Sequence, residues 1–153
     1  MKKEYTMMVA GFDYHQKELE SLMFEENFEY NLTKNEMVDE FDIDEDTRIY
    51  QYEIAEYPLR IYHEPDNPHD PAALQVFAED TFIGYVPRGN LDIMHKLSML
   101  PGLQMTVKIY GGKYKILKYD EDEDYLGEML PKYYRLRSGS DPYKAMMIFR
   151  YDS

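Results

Sequence analysis

Residues 59 to 88 read LRIYHEPDNPHDPAALQVFAEDTFIGYVPR, and this stretch carries the main sequence evidence for the fold. Two short apolar runs, Leu59 to Tyr62 and Ala73 to Phe77, flank a loop that holds three prolines. A third apolar run, Thr81 to Val86, follows the acidic turn Glu79-Asp80. Short runs of β-branched and aromatic residues between turn residues are typical of strands. Because proline cannot donate to a strand ladder, the stretch predicts three strands with a stiff loop between the first two.

The loop between the first two runs carries short polar side chains. Asp66, Asn67 and Asp70 can each accept hydrogen bonds from nearby backbone N–H groups. A loop held rigid between two strands is where binding residues often lie. Two interpretations follow, one in which these residues bind a ligand and one in which they only brace the turn.

Several motifs in this chain share their order and spacing with one known family. They are E-P-D-N-P-H-D-P-A-A-L (Glu64 to Leu74), I-G-Y-V-P-R (Ile83 to Arg88), V-A-G-F-D-Y-H (Val9 to His15) and, more loosely, the strand Met105 to Tyr110. In these residues the chain resembles the HIRAN domain family, in the nearly free-standing form found in bacteria. The resemblance implies an α+β fold, a small and mostly antiparallel β-barrel of about six strands, related to the OB and SH3-like barrels, with helical insertions.

The resemblance also implies a function. In eukaryotes the HIRAN domain precedes SWI/SNF-type DNA translocases and captures the free 3′ end of single-stranded DNA. We therefore expect a non-enzymatic module that binds single-stranded DNA ends. Position by position, the resemblance gives a candidate nucleic-acid-binding site of Asp13, Tyr14, His15, His69, Asp70, Tyr85 and Arg88. Asp13 departs from the family, which has a cation at that position.

The residue types at these positions suit a nucleic-acid end. The carboxylate of Asp70 can accept a hydrogen bond from a 3′-hydroxyl group, and the guanidinium of Arg88 can pair with phosphate. The rings of Tyr14, His69 and Tyr85 can stack on bases.

The net charge of −13 opposes this interpretation, because phosphate contacts need Lys and Arg. The acid is unevenly distributed, since residues 1–58 hold 16 acidic and five basic side chains, whereas residues 59–118 hold six and seven. The alternative is a protein-interaction or regulatory module that has lost the DNA site and docks a basic partner on its acidic N-terminal face.

The acidic N-terminal third has helical spacing over about residues 16–46. Thr33 and Glu36 match a capping box, which predicts a second, short helix ending at Phe41. We expect the two helices to bury apolar faces that carry Leu19, Leu22, Met23 and Phe28 in the first, and Met37, Val38 and Phe41 in the second. This insertion either covers one end of the barrel or forms a partner-docking surface.

The remaining elements are predicted from alternation and turn residues. A first strand covers Tyr5 to Tyr14, and another covers Arg48 to Glu56 and is separated from the next by Pro58. After Arg88, Asn90 caps a helix that Pro101-Gly102 stops. Gly111-Gly112 predicts a tight hairpin between a strand ending at Tyr110 and a partner strand, Lys113 to Tyr119, with a glycine at positive φ.

We predict a domain boundary near residue 119. Residues 1–119 then form the barrel domain, and residues 120–153 form an acidic loop and a C-terminal extension. The apolar segment Ala145 to Phe149 reads as one more strand, which either joins the barrel or pairs with another chain.

Motifs for catalysis and cofactors are missing from the sequence. It has no phosphate-cradling glycine loop, no nucleophile elbow and no H-E-x-x-H, so we predict no enzyme, no catalytic residue and no cofactor. The absence of Cys excludes disulfides and thiolate metal sites.

Two acidic arrangements bear on metal binding. Asp42 to Glu53 partly matches an EF-hand loop, but Thr47 stands where the sharp turn needs Gly and a strand pattern follows. His63 and Glu64, with His69 and Asp70, could approach a metal, although stabilising the turn accounts for them better. We predict no metal site, and the acidic loop leaves cation binding open.

We expect a cytoplasmic protein without a membrane partner, because the sequence shows neither a signal-peptide pattern nor an apolar run of bilayer length.

Overall fold

A computed structural model describes residues 1–120 and 133–153 of the chain. The chain divides into two compact units. Unit 1 comprises Met1–Phe24, Ile54–Tyr110 and Pro142–Ser153, and unit 2 comprises Glu25–Glu53 and Gly111–Asp141. The strands and α-helices of the described residues are β1 (Lys2–Met8), β2 (Arg48–Tyr50), β3 (Ala55–His63), β4 (Leu74–Ala78), β5 (Thr81–Tyr85), β6 (Gln104–Asp120), β7 (Tyr133–Asp152), α1 (Gln16–Ser21) and α2 (Leu91–Ser98).

Unit 1 is built on a curled antiparallel sheet with the strand order β1-β7-β6-β3-β4-β5. Its two ends meet, because Ala10, just after β1, and Tyr85, at the end of β5, exchange both backbone hydrogen bonds at 2.8 and 2.9 Å. The core of unit 1 includes the fully buried side chains of Val76, Ile83, Val107, Ile109 and Phe149. The structure confirms the predicted α+β class and the barrel-like antiparallel sheet.

The three strands predicted from residues 59 to 88 are present as β3, β4 and β5. Glu79 takes φ 54° in the acidic turn between β4 and β5, a conformation that such tight turns require. The ladder between these strands shifts register between Val76 and Phe77, which is a β-bulge and adds twist.

Pro58 does not separate two strands as predicted, because it lies inside β3. Up to Pro58 the strand pairs with β6, and from Leu59 onward it pairs with β4. A residue without an N–H group is tolerated where a strand changes partners. The predicted strand before it is also shorter, since β2 ends at Tyr50.

The predicted hairpin at Gly111-Gly112 is wrong. Strand β6 runs through both glycines without reversing. Gly111 and Gly112 have φ of 111° and 88°. The predicted positive φ is therefore present, but it does not produce a hairpin. Paired glycines between alternating residues also occur at a bend within one strand, and here they mark the passage of β6 from unit 1 to unit 2.

The N-terminal strand and helix are both shorter than predicted. Strand β1 ends at Met8 and a 3-10 helix covers Phe12–His15, with Gly11 at φ 79° before it. Helix α1 ends at Ser21. The backbone beyond it bonds to another segment, because Glu25 accepts from the N–H of Glu53 and Asn27 donates to the carbonyl oxygen of Gln51.

Unit 2 contains the predicted capping box. The hydroxyl of Thr33 accepts from the N–H of Glu36 at 3.2 Å, and the carboxylate of Glu36 accepts from the N–H of Thr33 at 3.0 Å. These bonds to Thr33 lower the pKa of the Glu36 carboxyl group. The element that follows is a π-helix, Glu36–Glu40, rather than an α-helix.

The small core of unit 2 buries Leu32, Met37 and Ile49, with Tyr30, Ile43 and Leu136 packed against them. Met37 is buried as predicted, whereas Phe28 and Phe41 are 61% and 45% exposed. The helical spacing was misleading here, because no continuous helix forms over residues 22–35 to hold these rings on one face.

The apolar segment Ala145 to Phe149 forms a strand, as predicted, and it joins the barrel. It belongs to β7, which pairs with β1 over seven residues from Lys2↔Asp152 to Met8↔Met146. The structure thus groups residues 142–153 with unit 1 and not with a separate extension. The acidic run is described only to Asp120, so its predicted loop lies outside the described residues.

Among the described residues, no helix is both long enough and apolar enough to span a bilayer.

Candidate binding cleft

A cleft of about 360 Å³ opens in unit 1 beside the proline-rich loop. The loop forms one wall, and the end of β5 and the turn after it form another. The floor is apolar and includes Ala73, Val86 and Leu91. Four residues of the sequence-predicted site, His69, Asp70, Tyr85 and Arg88, line this cleft.

The loop holds its shape through its own polar side chains. Asn67 Oδ1 accepts from the N–H groups of His69 and Asp70, both at 2.9 Å. Asp70 Oδ1 accepts from the N–H of Ala72 at 2.9 Å. Bracing is therefore a real role of Asn67 and Asp70, as one of the two interpretations had it. It leaves Asp70 Oδ2 and the exposed imidazole of His69 at the cleft.

Asp70 and Arg88 form an ion pair at the cleft, with 3.3 Å between Asp70 Oδ2 and Arg88 Nε. The Arg88 side chain is 78% exposed, so the pair is screened by water and weak on its own. Arg88 makes this ion pair through Nε and not through its terminal nitrogens. The charged lining residues of the cleft thus carry one positive and one negative charge.

Tyr85 is fixed by a carboxylate behind it. Its hydroxyl donates to Glu64 Oε2 at 2.9 Å, and this bond, followed by partial burial, raises the pKa of Tyr85. The hydroxyl therefore remains protonated at neutral pH. The sequence reading missed Glu64 as a partner of Tyr85, because 21 positions separate the two residues.

The remaining three predicted residues, Asp13, Tyr14 and His15, lie on the 3-10 helix Phe12–His15 and are not among the residues that line the cleft. Asp13 is exposed, and Tyr14 is 88% exposed. His15 packs edge-on against Phe82 at 4.8 Å, and Phe82 packs against Tyr85 at 5.4 Å. His15 therefore reaches the cleft only through an intervening aromatic ring.

Ala10 also lines the cleft, although it is not among the site residues predicted from the sequence. The signal for it was Gly84, since a Gly inside a strand often marks the close approach of another backbone. A Cβ at Gly84 would lie 2.3 Å from the carbonyl oxygen of Ala10.

The two acidic arrangements weighed as metal ligands form no ligand group among the described residues. His63 Nε2 lies 2.7 Å from the carbonyl oxygen of Pro71, and Glu64 is engaged by Tyr85. In the acidic loop, Asp46 pairs with Lys118 at 2.8 Å. Over residues 1–120 and 133–153, no three His, Asp or Glu side chains group as metal ligands.

Comparison with known proteins gives no match. No family model matches the chain, and neither the curated proteins nor the solved structures contain a match to it.

Proposed function

We propose that unit 1 is a non-enzymatic module that binds the 3′ end of single-stranded DNA in the cleft beside the proline-rich loop. The observation that supports this is the convergence of His69, Asp70, Tyr85 and Arg88 on one cleft. The motif resemblance gives these four residues from sequence alone, and they come from two segments of the chain.

The chemistry of the lining fits a sugar end with one phosphate beside it. Asp70 Oδ2 is an acceptor for a 3′-hydroxyl group, and the terminal nitrogens of Arg88 are donors for phosphate oxygens. The exposed ring of His69 offers a stacking surface for a base. The apolar floor suits the face of a sugar.

The charge of the cleft limits the mode of binding. With one cation in the lining, binding should release few counterions, and log K should fall with log salt as for about one or two phosphate contacts. Stacking then has to supply much of the affinity, at about 1–3 kcal/mol per base.

The experiment is a fluorescence-anisotropy titration with two oligonucleotides that differ only in a 3′-hydroxyl or a 3′-phosphate end. The wild-type chain should prefer the hydroxyl, because a terminal phosphate meets the carboxylate of Asp70. Asp70→Asn should narrow this preference, and Arg88→Ala should weaken binding of the 3′-hydroxyl oligonucleotide by about tenfold.

A matched control is Arg60→Ala. Arg60 is also an exposed arginine of unit 1 in an ion pair with an aspartate, Asp80, but it does not line the cleft. Affinity should be unchanged in this variant. Equal affinity for both ends, or equal losses in the Arg60 and Arg88 variants, would remove the proposed end-binding site.

A further inference from the structure

Two phenylalanine side chains of unit 2 lie side by side on the surface. Phe28 is 61% exposed and Phe41 is 45% exposed. Their ring centroids are 5.8 Å apart with an interplanar angle of 62°, an edge-to-face contact. Adjacent exposed aromatic rings are typical of surfaces that a partner covers, whereas single exposed apolar residues are ordinary.

Hydrogen bonds hold the backbone at both phenylalanines. Phe28 opens the 3-10 helix Phe28–Asn31, where Asn27 Oδ1 accepts from the N–H of Glu29 at 3.2 Å. Phe41 ends the π-helix, and its N–H donates to the carbonyl oxygen of Glu36 at 3.0 Å. The buried cluster of unit 2 is complete without either ring. The two phenylalanines therefore lie on ordered backbone outside the core of unit 2.

An acidic border adjoins the two phenylalanines in sequence. Residues 25–53 contain 11 acidic and two basic side chains. Six of the acidic residues adjoin the two phenylalanines in sequence, and in the described part of the chain none of the six forms an ion pair: Glu25, Glu26, Glu29, Asp39, Glu40 and Asp42. Carboxylates gathered without counter-charges repel one another and attract a cationic partner.

We propose that Phe28, Phe41 and this acidic border form a docking surface for a basic protein segment. Aliphatic or aromatic side chains of the segment cover the two rings, and its Lys and Arg side chains face the carboxylates. Charge disfavours the other occupants, because the border repels phosphates and a second copy of the chain would present the same border. The proposal does not depend on DNA binding, since its residues lie in unit 2 and the cleft residues in unit 1.

The test uses the full chain and a labelled peptide of alternating Lys and Leu, with binding followed by fluorescence anisotropy. One control peptide has Glu in place of each Lys, and the other has Ser in place of each Leu. We expect the Lys–Leu peptide to bind the wild-type chain at least tenfold more tightly than either control. Absence of binding, or equally tight binding of either control peptide, overturns the proposal.

Variants then place the peptide on the surface. The double variant Phe28→Ser with Phe41→Ser should lose at least tenfold in affinity. Met99→Ser is the matched control and should lose nothing, because Met99 is 86% exposed but belongs to unit 1. Equal affinities for the double variant and the wild-type chain overturn the proposal.

A second variant keeps both rings and removes two negative charges. It tests the proposal even if the phenylalanine double variant does not fold. Asp39→Asn with Glu40→Gln should weaken binding severalfold and flatten its salt dependence. Unchanged affinity and salt dependence in this variant overturn the proposal. Sedimentation of the free chain tests whether a second copy of the chain occupies this surface. If the wild-type chain is a dimer and the phenylalanine double variant is a monomer, the surface belongs to a second copy and the proposal is overturned.

Discussion

Gly84 is the residue on which the closure of the unit 1 sheet depends. Its φ of +146° lies in a region that other residues rarely adopt. A Cβ there would also lie 2.7 Å from Val9 Cγ1 and 2.3 Å from the carbonyl oxygen of Ala10. The backbone of β5 can therefore approach Ala10 only because residue 84 has no side chain.

We predict that Gly84→Ala lowers the free energy of unfolding by about 2–4 kcal/mol, because both the backbone strain and the clash must be relieved. Urea unfolding followed by tyrosine fluorescence measures this, since the chain has no Trp. Gly89→Ala is the control and should change stability by less than about 1 kcal/mol, because a Cβ at Gly89 meets nothing within 4 Å. Similar losses in the two variants would contradict this account of Gly84.

At the scale of elements, the end of β7 is a principal contributor to the core of unit 1. The side chains of Ala145, Met147, Ile148 and Phe149 are all buried, so the alternation with more exposed residues ends at Met147. The strand also carries the ladder to β1. The sequence pattern identified this strand, but it did not show which partner the strand takes.

We predict that Phe149→Ala destabilises the chain by about 3–5 kcal/mol, because the substitution leaves a cavity in a packed core. The matched control on the same strand is Lys144→Ala, at an exposed position, and its effect should stay within about 0.5 kcal/mol. Thermal unfolding followed by circular dichroism compares the two. If Phe149→Ala proved as stable as the control, the end of β7 would not be part of the core.

At the scale of the whole molecule, the net charge of −13 is the dominant electrostatic feature. The seven ion pairs among the described residues are mostly exposed and engage a minority of the carboxylates. Such pairs contribute little each, and the unpaired carboxylates repel one another in the folded state.

We predict that the melting temperature rises by about 3–6 °C between about 0.01 M and about 0.3 M NaCl, because salt screens this repulsion. Differential scanning calorimetry at pH 7 measures the change. Asp44→Asn with Glu45→Gln should raise the melting temperature at low salt and reduce its salt response, since both residues are exposed. A melting temperature that falls with salt would show that favourable ion pairs outweigh the repulsion.

Local sequence patterns predict the strands of residues 59 to 88, the braced loop and the capping box at Thr33. These depend on alternation, proline and short-range side-chain hydrogen bonds, which act within a few residues of the chain. The sequence also proposed the four residues that line the cleft, through the spacing of motifs.

Which distant residues come into contact depends on tertiary packing. Glu64 with Tyr85, Ala10 against Gly84 and β7 beside β1 are contacts between segments, and a local pattern does not encode them. The continuous course of β6 through Gly111-Gly112 and the exposure of Phe28 and Phe41 follow from the same cause. In each case the local pattern allowed two conformations, and packing against residues far away in the chain selected one.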